Sequence, residues 1–167
     1  VFICNGKAWN RKTLMFIGMA LLTILFIGQF TDLLDTALAD TQYVNVVSDY
    51  KNFNDDGTNP IRVLIYSVPA ILAFGGRNTI RKIDDPVINL CTNMSIVSMG
   101  LYVISIFTSG IFMGRLPIYV SLYGYILLPW EINHFFAYES RRIVRIGAIV
   151  LYLVFYYYQM HFVWGLF

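Results

Sequence analysis

The stretch TLMFIGMALLTILFIGQFT, Thr13–Thr31, runs for 19 residues without a charge. At about 1.5 Å per residue a helix of that length just crosses a hydrocarbon core of roughly 30 Å. Inside lipid, backbone N–H and C=O groups find no water, so a spanning segment satisfies them within itself by forming a helix. Gln29 marks the approach to an interface. The whole 167-residue chain has the same character, with 57% hydrophobic and 13% charged residues. Ordinary soluble domains carry roughly 25% charged residues, so polar surface is too scarce here to cover a water-soluble globule. The composition predicts an all-α, polytopic transmembrane helical bundle.

Four further apolar runs follow. Ile61–Gly76 is short and interrupted by Pro69, and a third run extends from Pro86, a residue suited to a first helical turn, to Phe112. The fourth, from Leu116, is bracketed by Pro117 and Pro129 and continues past Pro129 to Phe136 as a kinked helix. The fifth is Ile146–Phe167. The prediction is one membrane domain over 1–167 with about five spans, at 13–31, 61–76, 86–112, 116–136 and 146–167. Val1-Phe-Ile-Cys4 reads like the tail of a helix cut in mid-run, which suggests a fragment of a longer polytopic protein. It lacks the pattern of a signal peptide.

Lysine and arginine orient the spans. Lys7, Arg11 and Lys12, then Arg77, Arg81 and Lys82, then Arg141, Arg142 and Arg145 hold nine of the twelve basic residues. Alternation puts all three clusters on one side, which the positive-inside bias makes cytoplasmic. The segment 32–60 is then external, and six of the ten acidic residues lie in it. It also holds Tyr43, Tyr50 and Phe53, and a loop of this length is often functional, though it could be only a solvated connection. Leu33, Leu34, Ala37 and Leu38 recur at helical spacing, which suggests a short interfacial helix.

Arg62 and Arg115 break the sorting. Each stands at the outer entry of a span, beside Asn59-Pro60-Ile61 and within Gly114-Arg115-Leu116-Pro117. A guanidinium near a helix amino terminus suits an anion, and its fork matches phosphate oxygens. A lipid-linked pyrophosphate fits such a site, while plain binding to lipid headgroups or snorkelling is the bland alternative. Asp32 and Asp35 end the first span, where a carboxylate can serve as general base toward a sugar hydroxyl or simply be a polar helix end. Tyr119, one turn beyond Arg115, could stack on a sugar ring or anchor at the interface.

Elsewhere the chemistry is thin. Asn89, Thr92, Asn93, Ser95, Ser98 and Ser105 give the third span a polar side of the kind that knits membrane helices together. Cys4 and Cys91 suggest no disulfide, His134 and His161 stand alone so that no metal site emerges, and no phosphate-binding loop or cofactor motif is present. A net charge of only +2, with the basic residues in short clusters between apolar runs, argues against nucleic-acid binding. A transporter fits less well, because the spans are read as free of intramembrane charge.

Residues Asn59–Phe74 and Ser109–Tyr119, with Ile126-Leu-Leu-Pro-Trp130 after them, resemble the EpsG family of bacterial membrane proteins. The resemblance covers most of the chain and corresponds to the carboxyl-terminal part of the family. It implies a Wzy-type exopolysaccharide or capsule polymerase, acting on undecaprenyl-pyrophosphate-linked repeat units at the outer face of the bacterial cytoplasmic membrane. By position it carries over Arg62 and Arg115 as substrate-binding residues, and Tyr119 more loosely. Asp32 or Asp35 would then be the catalytic base. Alternatives are another lipid-linked sugar transferase or ligase, and a non-enzymatic membrane subunit working with other polysaccharide assembly proteins.

Overall fold

The computed structural model describes residues 6–26, 29, 33, 36, 58–107, 115–163 and 165. Among these residues the chain is helical and contains no strand. The helices are α1 (Arg11–Leu25), α2 (Pro60–Gly75), α3 (Arg77–Ile83), α4 (Pro86–Ile106), α5 (Leu116–Phe135) and α6 (Tyr138–Tyr158). A π-helical turn, Gln159–Val163, extends α6. Contacts cluster in two units, Val1–Leu127 and Leu128–Phe167.

Helix starts follow local chemistry. The Asn10 side chain accepts from the N–H of Arg11, and Asn59 accepts from the N–H of Ile61 at 2.9 Å. The Asp85 carboxylate accepts from Val87 and Ile88 at 2.8 and 3.2 Å. Pro60 and Pro86 follow two of these caps, at the position where a missing N–H costs nothing. Pro69 does not interrupt α2, which runs through it unbroken. The chain instead turns at Gly76, where α3 departs at 70° to α2.

In the first unit α4 packs against both α1 and α2. Many of its buried residues are small or polar: Asn89, Thr92, Asn93, Ser95, Ser98 and Ser105. Within lipid the tails are as apolar as the side chains, so close van der Waals packing and interhelical hydrogen bonds hold helices together, and small residues permit the approach. A Cβ on Gly100 would meet Phe16 of α1 at 3.0 Å. One on Gly124 of α5 would meet the Pro69 ring at 3.1 Å and Ser95 Oγ at 3.7 Å. Asn93 Oδ1 accepts from Thr13 Oγ1 at 2.9 Å and from the Trp9 N–H at 3.3 Å, so Asn93 ties α4 to α1 and the residues before it, whereas Thr92, Ser95 and Ser98 are buried as small groups without a hydrogen bond among the described residues. Asn93→Ala should therefore destabilise the protein by about 1–3 kcal/mol, because it orphans two buried donors. Thermal unfolding in detergent checks this.

The same end of the unit joins two of the basic clusters. The Arg77 guanidinium lies 5.5 Å from the centroid of the Trp9 ring, and Lys7 Nζ is 2.9 Å from Asp84 Oδ2. The hydrogen bonds from Lys7 and from Asn89 Nδ2 hold the Asp84 carboxyl below its usual range. A depressed carboxylate contributes stability above its ordinary pKa and loses it as pH falls through the folded-state value. Asp84→Asn should lower the melting temperature at neutral pH and leave it little changed in acid, which flattens the acid limb of a melting temperature against pH profile.

The second unit turns a corner between α5 and α6. Arg141 Nε donates to the Phe136 carbonyl at 3.0 Å, and Arg145 donates to Asn133 Oδ1 at 2.9 Å. Beyond the corner α6 is nearly bare, with only 6% of its spanning window buried.

Pro86–Ile106 and Tyr138–Phe162 are long and apolar enough to cross a membrane, and the bent pair α2 and α3 makes a third candidate. Among the described residues the chain is thus an all-helical membrane protein with two or three candidate spans, where about five were expected. As described, α1 has 15 residues, about 22 Å, and the continuation of its apolar run lies largely outside the described residues. Helix α5 has 20 residues but includes two prolines, Glu131 and His134. The third run ends at Ile106, and 108–114 lie outside the described residues. The last helix begins at Tyr138, earlier than Ile146; its first turns carry Glu139, Arg141, Arg142 and Arg145 and so lie outside the apolar run.

Candidate functional site

The amino-terminal end of α2 and the carboxyl-terminal end of α4 are tied together, since the Thr58 N–H donates to the Ser105 carbonyl at 3.0 Å. Asn59 and Pro60 then launch α2 at this point and set Arg62 in its first turn. Arg62 is half-buried. Its Nε is buried without a hydrogen-bond partner among the described residues. A buried charged donor without an acceptor costs more than an ordinary missing hydrogen bond, so the position favours an acceptor from outside the described residues.

Beside Arg62 stands a wall of tyrosines. One turn along α2, Tyr66 stacks on Tyr102 of α4 with ring centroids 5.1 Å apart and planes 10° apart. Tyr125 of α5 meets Tyr66 edge-on at 6.5 Å. Tyr102 is fully buried, and its hydroxyl lies within reach of both Ser121 of α5 and the charge of Arg62. Ser105 Oγ donates to the Tyr102 carbonyl at 2.7 Å and fixes the turn that carries it. Three helices therefore converge on one arginine and three phenols, an arrangement suited to an anion with sugar attached.

The expected residues fall differently around this cluster. Arg62 is its centre. Arg115 lies in the turn that opens α5, exposed, with its carbonyl accepting from the Ile118 N–H at 3.2 Å. It precedes Ser121 by less than two helical turns, so it belongs to the same end of α5. Tyr119 is 76% exposed and, two residues before Ser121, occupies the other side of α5. Asp32 and Asp35 lie outside the described residues, as does most of the acidic segment 32–60 with its expected interfacial helix.

Sequence reasoning missed Tyr102 and Ser121. Tyr102 sits four residues before the end of an apolar helix, and only its stacking on Tyr66 shows its place. A second residue was passed over: Glu131, two positions after Pro129 in α5, is fully buried, with neither carboxylate oxygen partnered among the described residues. The expected fourth run, 116–136, is therefore not free of charge, although α5 is not among the candidate spans. The signal is present in the sequence, two positions past Pro129 and inside the run carried to Phe136.

The model of the EpsG family matches residues 1–165, nearly the whole chain. No curated protein and no solved structure matches it.

Proposed function

The chain belongs to the EpsG family of exopolysaccharide-related membrane proteins, and from that premise we propose that it polymerises lipid-linked repeat units. The substrate is an oligosaccharide on undecaprenyl pyrophosphate, met at the outer face of the bacterial cytoplasmic membrane. The observation that carries the reading is the buried Nε of Arg62, without a partner among the described residues, beside the wall of Tyr66, Tyr102 and Tyr125.

A hydroxyl of one repeat unit attacks the anomeric carbon of another. The bond from that carbon to the pyrophosphate oxygen breaks, and its electron pair stays on the pyrophosphate. Arg62, with Arg115 from the α5 entry, neutralises the charge that develops there. Asp32 or Asp35 accepts the proton of the attacking hydroxyl. Tyr119 sits at the α5 entry, where a ring can pack on incoming sugar. Other polysaccharide assembly proteins and membrane lipids are the partners this role requires.

In a strain lacking its own copy, the wild-type protein should restore polymer, and Arg115→Ala should restore none while single repeat units accumulate on lipid. Polymer of normal length in that variant, at normal protein level, counts against the proposal. Full-length polymer left on lipid in the deletion strain would point to a ligase instead.

A further inference from the structure

At the other end of α4 from the tyrosine wall, Lys7, Trp9, Asn10, Arg81, Asp84 and Asn89 line a cavity of about 520 Å³. Its floor is built rather than accidental. Asn93 accepts from the Trp9 N–H and Thr13 Oγ1, and its Nδ2 donates to the Gly6 and Lys7 carbonyls at 3.5 and 3.4 Å. Those bonds hold Trp9 at φ 64°, a left-handed conformation that is costly for a bulky side chain. Phe74 packs on the indole at 4.2 Å between ring centroids, and Arg77 covers it. Trp9 is only 5% exposed, and its Nε1 is buried with no acceptor among the described residues.

The polar groups around the cavity are unbalanced. Asp84 is already matched by Lys7 and Asn89. Asn10 uses its carbonyl oxygen to cap α1, so the amide N–H groups are what it has left to offer. Arg81 has no ion pair among the described residues. Donors therefore outnumber acceptors, at a face where Arg11, Lys12, Arg77 and Lys82 add positive charge. An indole N–H can only donate, and a guanidinium can only donate. A compact, acceptor-rich anion completes both.

We propose that this cavity is a second binding site, separate from the outer arginine cluster, which takes a phosphate ester from the face that the basic residues mark as cytoplasmic. The shared chemistry is a tetrahedral anion gripped by Arg81 and Lys7 and capped by the Trp9 indole. Its source is either the headgroup of a lipid in that leaflet or a soluble phosphorylated compound.

The test uses the full-length protein in nanodiscs and reads tryptophan emission. One arm keeps phosphatidylcholine discs and titrates inorganic phosphate and pyrophosphate. The other arm adds increasing phosphatidic acid to the discs with no soluble anion. A saturable change is expected in at least one arm, and the responding arm names the source. Trp9→Phe should remove the signal, and Arg81→Gln should weaken the apparent affinity about tenfold or more, the worth of one charged hydrogen bond. Arg142→Gln removes the same charge from another basic cluster and should change nothing. Arg81→Lys keeps the charge, loses the fork and should fall between, so it serves if the glutamine variant fails to fold. Polymer formed in cells by the Arg81 variants separates this site from the outer one. No saturable response in either arm, or an equal loss in Arg142→Gln, would overturn the proposal.

Discussion

Arg62→Ala should abolish polymer while the protein stays at its normal level in the membrane. The side chain is half-buried at the start of α2, and no partner within the described chain uses its Nε, so truncation removes little of the fold's own bonding. What it removes is a fixed positive charge at the place where a pyrophosphate would gather negative charge. Deleting one such preorganised donor costs on the order of 10²–10³ in rate. Arg62→Lys is the sharper variant, because it keeps the charge but not the bidentate fork. It should retain a small fraction of polymer, whereas a purely electrostatic role would leave it near wild type. Polymer length on gels and the amount of lipid-linked single unit are the two readouts. Normal polymer in Arg62→Ala sinks the assignment.

The largest structural effect is expected at Gly124. Its missing side chain leaves room for the Pro69 ring at 3.1 Å and for Ser95 at 3.7 Å, so α2, α4 and α5 meet over it. A proline ring inside a helix cannot swing aside as a flexible side chain can. Gly124→Leu should therefore cost at least the ~1–3 kcal/mol typical of overpacking, and it should loosen the tyrosine wall one face away. Gly147 is the control, since an added Cβ there meets nothing within 4 Å. Gly147→Ala should leave stability unchanged or improve it, because glycine disfavours a helix interior. Melting temperature in detergent, with limited proteolysis, distinguishes the two. Equal behaviour of both variants would mean that the helices do not meet as described.

What the amino-acid order discloses, and what it hides, follows from the range of each signal. Asn59-Pro60 and Asp85-Pro86 announce helix starts because a cap and a proline act on their own few residues, and the helices do begin there. The start of α6 is less legible. Apolarity reports lipid depth, while Tyr138 and the arginines after it are helical but polar. Pro69 looks like an interruption, yet whether a helix survives a proline depends on neighbours such as Gly124, which lie far along the chain. Arg62 stands out in the sequence because it defies the sorting of charge by side. Tyr66, Tyr102 and Ser121 carry no such mark, since a tyrosine in an apolar run looks the same whether it packs, anchors or lines a site.

The contrast between α4 and α6 has a consequence for tolerance to change. In α4, 61% of the spanning window is enclosed by protein, whereas in α6 the figure is 6%. Saturation mutagenesis should therefore divide the two helices by different rules. Positions along α4 would reject a change of volume even when the new residue is apolar, and Asn93 would reject nearly everything. Positions along α6, Phe155 apart, would accept almost any greasy replacement and refuse only charge. One helix is spelled in shapes; the other needs only to be oily.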